Sequence, residues 1–204
     1  MTTLIKICGM TDIAAVEAAV EGGADAVGFV FAKSVRRVSM RHALEMSAYV
    51  PLDTTKVAVM LHPTADEWRE VKNVFQPDVL QTDLADFEYL EVPEQIEKWP
   101  VLREGALKDG DVSPEVFVYE GMASGSGATV DWQLAATLAK RGKMILAGGL
   151  STENIREALR QVVPYGVDVS SGVESSPGKK DAAKIQAFID AVRAIGSSEE
   201  ETKV

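Results

Sequence analysis

Short apolar, β-branched runs alternate with helical stripes along the whole chain. The runs predict strands over residues 3–8, 25–31, 56–61 and 78–81, with weaker ones over 101–105 and 115–119. Two clear runs close the series, over 143–147 and 166–170. Near-continuous apolarity between Gly and Pro punctuation is the pattern of parallel strands buried on both faces. Thr11 can cap a helix through Val16 and Val20 that stops at Gly22-Gly23. Thr64 and Glu67 form a capping box for a helix ending near Phe75, before Pro77. Ser151 can cap a helix over 153–162 that Pro164 stops. A further helix is expected over 132–140. Over 180–195 the residues Ala183, Ile185, Phe188, Ile189 and Val192 make one apolar stripe. Segments 84–90 and 106–113 are poor helices and predict short turns or degenerate ones.

About eight strands in β-α alternation fit an open doubly wound sheet or a closed barrel. Eight favours closure, which removes both sheet edges. The expected fold is therefore α/β: one compact, single-domain (β/α)8 TIM barrel over 1–196, with some short or degenerate helices. A polar acidic tail over 197–204 is expected to fray. The 204 residues, 46% hydrophobic and 25% charged, suffice for one core without staples. Residues 26–32, the longest apolar run, are too few for a bilayer span of about 20 residues.

Charge and cysteine content narrow the chemistry. The formal net charge of −10 argues against nucleic acid, whose backbone needs a basic face. No basic amphipathic stretch points to a membrane surface. An anionic substrate would have to be held by local donors against an adverse overall field. A single cysteine allows no internal disulfide and fits a reducing, cytoplasmic setting. Two widely separated histidines make a metal site improbable. His42 reads as a helix-surface residue. His62, beside Pro63, reads as a loop residue able to face a site mouth.

Four places can carry chemistry. Cys8 ends the first strand, where barrels set catalytic groups. Alternation puts Lys6 on its face, and an ammonium there favours a thiolate; a lone strand cysteine can equally be a small hydrophobe. Asp131 follows the loop Gly125-Ser126-Gly127 and starts a helix, so it is either an acid or a cap. Gly148-Gly149 follows strand seven, and Asp168-Val169-Ser170-Ser171-Gly172-Val173-Glu174 ends strand eight. Backbone amides in loops at those two positions commonly hold phosphate in barrels. Arg36 and Arg37 follow strand two, and either guanidinium could pair with a carboxylate there.

Together, Lys6-Ile7-Cys8-Gly9, the Gly-rich loop ending in Asp131-Trp132, Gly148-Gly149-Leu150, and the run from Val167 to Glu174 followed by Pro177-Gly178-Lys179-Lys180-Asp181 resemble the phosphoribosylanthranilate isomerase family. The resemblance covers nearly the whole chain. It implies a (β/α)8 barrel and the Amadori rearrangement of N-(5-phosphoribosyl)anthranilate in tryptophan biosynthesis. It also implies Cys8 as general base and Asp131 as general acid. The substrate-binding set it implies is Arg36, Gly127, Gly148, Gly149, Asp168, Ser170, Ser171 and Gly172, with Arg36 at the anthranilate end. One acid and one base complete this isomerisation without metal or organic cofactor. The implied partner is one small phosphorylated substrate, and the chain is expected to work as a monomer. Departures from the family pattern are Ser124 and Ser126 in the Gly-rich loop, Val130, Val35, Thr82-Asp83 and Glu120. The histidine-pathway aminoaldose isomerase, a dual-substrate enzyme and a non-catalytic phosphometabolite-binding barrel are the alternatives. The first carries Asp where Cys8 stands and needs a second phosphate grip.

Overall fold

The computed structural model describes residues 2–105, 113–122 and 129–201. Eight parallel strands close into a barrel in sequential order. They are β1 (Leu4–Cys8), β2 (Ala26–Val30), β3 (Thr55–Val59), β4 (Val79–Asp83), β5 (Glu97–Arg103), β6 (Val116–Glu120), β7 (Lys143–Leu146) and β8 (Gly166–Val169). The helices are α1 (Ile13–Glu21), α2 (Met40–Ser47), α3 (Ala65–Glu70), α4 (Trp132–Leu138), α5 (Ile155–Val162) and α6 (Ala182–Glu201). A short antiparallel hairpin, β9 (Glu174–Ser176) and β10 (Lys179–Lys180), follows β8. No described helix is long and apolar enough to cross a membrane.

Strand alternation sorts the apolar residues into two layers. Ala26, Val57, Val79, Trp99, Val101, Val118, Ile145 and Ala147 fill the barrel interior. Ile5, Ile7, Val27, Phe29, Leu80, Phe117, Leu146 and Val167 face outward under the helices. The same alternation turns Lys6, Cys8, Gln81, Asp83, Arg103, Glu120 and Asp168 inward. Closure runs through β1, which pairs Lys6 with both Ala26 of β2 and Asp168 of β8.

Several local expectations are revised. The α1 cap is Asp12, which accepts from the Ala15 amide at 2.8 Å. Thr11 instead donates to the Gly178 carbonyl at 2.7 Å, tying β1 to the hairpin loop. Ser151 does not cap α5, which starts after Asn154. Asn154 is used on the preceding loop: its amide donates to Gly149 O at 2.8 Å, and its Oδ1 accepts from Ser151 N at 2.9 Å. Lys180, expected on the last helix, lies in β10, and α6 runs on to Glu201, into the segment expected to fray. β5 begins earlier than its apolar run because Glu97 and Lys98 pair with β4. The Thr64–Glu67 box is present, and α3 continues as a wider turn to Phe75. The 84–90 segment forms a 3-10 turn over Leu84–Glu88, while residues 106–112 lie outside the described residues.

The loops after β7 and β8 are packed backbone to backbone. A Cβ on Gly172 would lie 2.0 Å from the Leu150 carbonyl oxygen, and neither backbone can yield cheaply. Gly172→Ala is therefore expected to lower Tm by about 2–12 °C in a thermal melt, the range for overpacking in a chain of this size.

Candidate active site

A cavity of about 480 Å³ opens at the C-terminal ends of the strands. Cys8, Arg36, Gly148, Gly149, Asp168, Ser170 and Ser171 all line it. Residues from β1, β2, β7 and β8 thus converge although they are far apart in sequence. Gly172 is not on the wall; it is the packing glycine beneath it. Gly127 lies outside the described residues.

Lys6 is fully buried and donates to Asp168 Oδ2 at 2.7 Å. Burial alone would lower the Lys6 pKa, but Asp168 outweighs it and holds the ammonium charged. Asp168 Oδ1 is buried without a hydrogen-bond partner at the cavity. A carboxylate oxygen in that position needs a donor, and a sugar hydroxyl is a suitable one. Cys8 sits beside this pair. Lys6 does favour the thiolate, as expected, but burial is the larger effect and pushes the thiol up overall. Space for the sulfur comes from Gly28, where a Cβ would lie 2.9 Å from Cys8 Sγ and 3.2 Å from Lys6 Cε.

Arg36, not the exposed Arg37, faces the cavity. Its Nε and Nη2 donate to Glu174 at 2.6 and 3.0 Å. Gly9, at φ 82°, lets the arginine stem lie on the backbone, since a Cβ there would be 2.6 Å from Arg36 Cδ. Glu174 also accepts from Lys180 Nζ at 2.8 Å and from Gly178 N at 3.2 Å. Lys180 donates in addition to Ser170 O at 3.0 Å, and Ser170 Oγ donates to Cys8 O at 2.9 Å. An unbroken polar path therefore joins Arg36, the loop after β8 and the end of β1. Glu174 and Lys180 were visible only as motif letters. Nothing in their spacing announces that the hairpin folds both back under Arg36.

Asp131 stands apart from the cavity wall. It caps α4, with Oδ1 accepting from Gln133 N at 2.8 Å and Leu134 N at 3.1 Å. Its own amide donates to Glu104 at 2.9 Å. The Tyr119 hydroxyl is pushed up to about 12 by burial and by the Glu104 and Asp131 carboxylates nearby. Asp131 thus lies by the C-terminal ends of β5 and β6, and residues 123–128, which precede it, are outside the described residues.

The cavity also has a wall that sequence reasoning did not assemble. Arg103 of β5 donates to Asp83 at 2.7 and 3.2 Å and to Glu120 at 2.8 Å. His62 lies next to Asp83 on the same wall. These charges come from four different strand ends, so no local pattern marks them as one cluster.

The family model for N-(5'phosphoribosyl)anthranilate (PRA) isomerase matches residues 5–191. The chain is 40% identical over 195 residues to N-(5'-phosphoribosyl)anthranilate isomerase of Streptococcus gordonii, covering 94% of this chain and 98% of that one. It is 39% identical to the Listeria innocua enzyme of the same name, covering 95% and 99%. Among solved structures it resembles a phosphoribosyl anthranilate isomerase in complex with reduced 1-(o-carboxyphenylamino)-1-deoxyribulose 5-phosphate. That likeness has a TM-score of 0.76 and 31% identity and covers 95% of this chain and all of the other. The Thermus thermophilus protein superposes with a TM-score of 0.81 at 27% identity, with coverage of 95% and 100%.

The Glu174 carboxylate sits under two cations. Burial raises its pKa, but hydrogen bonds from Arg36 and Lys180 prevail and bring it from 4.5 to about 2. A depressed carboxylate stabilises the fold above its unfolded value and loses that contribution as pH falls through the folded one. Stability is therefore expected to drop between about pH 4.5 and 2. Glu174→Gln strands Arg36 and Lys180 without their counter-charge. It should cost about 3–5 kcal/mol at neutral pH in urea unfolding and remove that part of the acid slope.

Proposed function

The chain belongs to the N-(5'-phosphoribosyl)anthranilate isomerase family, and we propose from the cavity's geometry how its residues divide the reaction. The reaction is the Amadori rearrangement of N-(5-phosphoribosyl)anthranilate to 1-(2-carboxyphenylamino)-1-deoxyribulose 5-phosphate in tryptophan biosynthesis. The observation that carries the division of roles is the convergence of Cys8, Arg36, Asp168 and the two late loops on one cavity.

The phosphate is held by backbone amides of Gly148-Gly149 and of the loop from Ser170 to Gly172. Asn154 braces the first loop and the Gly172–Leu150 contact braces the second. This resolves the adverse net charge, because amide donors grip an anion without a basic patch. Arg36 takes the anthranilate end. Its ion pair commits Nε and Nη2 to Glu174 and leaves Nη1 outside the pair. Asp168 Oδ1 accepts from a ribose hydroxyl.

Ring opening begins when an acid protonates the furanose oxygen while the anilino nitrogen forms a double bond to C1′. The resulting iminium loses its C2′ proton to a base, and the enolamine ketonises by taking a proton at C1′. Cys8, beside Asp168 at the end of β1, is the base. Asp131 is the acid; its support is the match of its motif to the family pattern and its place by the C-terminal ends of β5 and β6. Oδ1 carries both capping bonds, so Oδ2 is the atom assigned to the proton. Oxidation at C2′ balances reduction at C1′ within one molecule, so no external oxidant or reductant enters. Positioning by the phosphate and carboxylate contacts supplies much of the rate. We read the working form as a monomer in a reducing cytoplasm, with no nucleic-acid partner. In support, its reactive group is a thiol, and exposed apolar residues such as Val35, Leu52 and Val163 lie on separate elements.

Turnover of freshly generated phosphoribosylanthranilate tests the reading directly. Cys8→Ala should fold normally and lose at least ~10²-fold in kcat, the scale of a positioned base. Burial raises the Cys8 pKa, and the base works deprotonated. For the unaltered protein kcat/KM should therefore still be climbing at pH 8. Full activity in the alanine variant would remove Cys8 from the mechanism.

Asp131 is separated from a mere cap by its amide. Asn caps about as well as Asp, so Asp131→Asn should keep stability within roughly 1 kcal/mol. An amide cannot deliver the ring-opening proton, and kcat should fall at least ~10²-fold with KM little changed. Normal turnover in this variant would make Asp131 a cap alone.

A further inference from the structure

The β3–β5 side of the cavity holds a polar cluster to which the roles above give no task. Its centre is His62, three residues beyond the end of β3. His62 has φ 47°, a left-handed backbone that a non-glycine residue adopts only when its surroundings impose it. What imposes it is Asp86, in the 3-10 turn after β4. The His62 amide donates to Asp86 Oδ2 at 3.1 Å, and its ring Nδ1 lies 2.9 Å from Oδ1. Asp86 is buried and is held further by the Thr82 hydroxyl and by Tyr89 OH at 3.1 Å.

Burying a carboxylate is costly, and here it orients an imidazole that itself stays 63% exposed and lines the cavity. With Nδ1 tied to Asp86, the Nε2 edge is the one left to meet a ligand. Its nearest charged neighbour is Asp83 Oδ2 at 3.5 Å, an ionic contact too long for a good hydrogen bond. Asp83 is itself engaged on both oxygens by Arg103, whose remaining arm reaches Glu120. The guanidinium on this wall is thus committed to protein carboxylates, whereas the imidazole presents a donor.

The register adds a second observation. Val30 pairs with Val59, so the loops after β2 and β3 stand side by side at the mouth. Arg36 comes from the first of these loops and His62 from the second, and both line the same cavity. We propose that His62 is a specificity-determining residue. Its imidazolium and Arg36 take the aromatic carboxylate of the substrate between them, from neighbouring strands. The proposal rests on the reading of Arg36 as the anthranilate contact and adds to it a second, titratable donor. A carboxylate leaving water needs charged donors on more than one lone pair, and two cations at an angle supply them.

The charge state fits. The groups facing the ring are Asp86, Thr82 and Tyr89 behind it, Asp83 from β4 and Arg103 from β5. The hydrogen bond and charge of Asp86, then Asp83, raise the His62 pKa, while burial and, less, Arg103 oppose them. The ring is therefore cationic over a wider range than a free histidine, and it loses its charge as pH rises through that raised value.

Binding of two inert ligands to the full-length protein tests this. One is the reduced 1-(o-carboxyphenylamino)-1-deoxyribulose 5-phosphate; the other is the same compound lacking the ring carboxylate. Titration calorimetry gives the preference for the first over the second. His62→Asn is a mild change, because His62 is exposed and Asn tolerates a left-handed backbone. It should weaken the carboxylated ligand about tenfold, the scale of one charge-assisted hydrogen bond, and change the other less than about twofold. In the unaltered protein the preference should shrink toward that of the variant as pH is raised from 6 to 9. Equal losses for both ligands, no loss, or a preference independent of pH would each overturn the His62 role. Absence of any preference for the carboxylated ligand in the unaltered protein would overturn the Arg36 assignment along with it.

Discussion

The ion pair between Lys6 and Asp168 is the interaction on which the barrel and its cavity both depend. The two residues are register partners across the β1–β8 seam, where the sheet closes. Lys6 is fully buried, and a buried ammonium without a counter-charge would cost about 3–5 kcal/mol. Closure in this register is thus tied to the charge pair, because a slip by one residue would turn Lys6 toward the helices and Asp168 away from it. The same pair sits beside Cys8 and leaves the other Asp168 oxygen, Oδ1, without a hydrogen-bond partner. One contact therefore ties the register of the closing seam to a charge pair beside the thiol.

The remaining charges of the cavity obey the same constraint. Among the described residues, the cations Lys6, Arg36, Arg103 and Lys180 are each bound to a carboxylate, Lys180 within its own hairpin and the others to one from another strand or loop. Arg36 and Lys180 meet Glu174, and Arg103 meets Asp83 and Glu120. Such pairs are weak sources of net stability, because desolvation offsets most of the attraction. Their effect is geometric: they hold long side chains in place at the rim of the cavity. The hairpin of β9 and β10 exists for this purpose. It is too short to add much core, yet it delivers both Glu174 and Lys180 beneath Arg36.

The overall charge of −10 and the binding of an anionic substrate are compatible for a related reason. Acidic residues are spread over the exterior and the C-terminal segment, and screening makes them weak at the distance of the cavity. Inside, the donors we assign to the anion are loop amides and paired cations, and the low local dielectric strengthens such contacts. Net charge thus bears on what the surface rejects, and not on what the cavity accepts.

The order of eight strands, the shared face of Lys6 and Cys8 on the first of them and the capping box of Thr64 and Glu67 were legible in the sequence. Each follows from periodicity or from contacts within a few residues. The family motifs likewise marked Cys8, Arg36, Gly148, Gly149, Asp168, Ser170 and Ser171, which the fold then gathers on one wall. Thr11, Ser151 and Lys180 were misjudged because each makes its decisive bond outside its own element or lies in a hairpin without apolar periodicity. The pKa of Cys8 was beyond sequence reasoning, since burial outweighs the charge that alternation places beside it. The clamp on Glu174 and the Asp86–His62–Asp83–Arg103 wall were equally hidden. Arg36 and Glu174 alone are 138 residues apart, and the members of each cluster meet only because the strands end together at one rim of the barrel. Local chemistry determined the elements and the motifs; closure of the barrel decided which charges face one another, because that depends on register between strands and not on order along the chain.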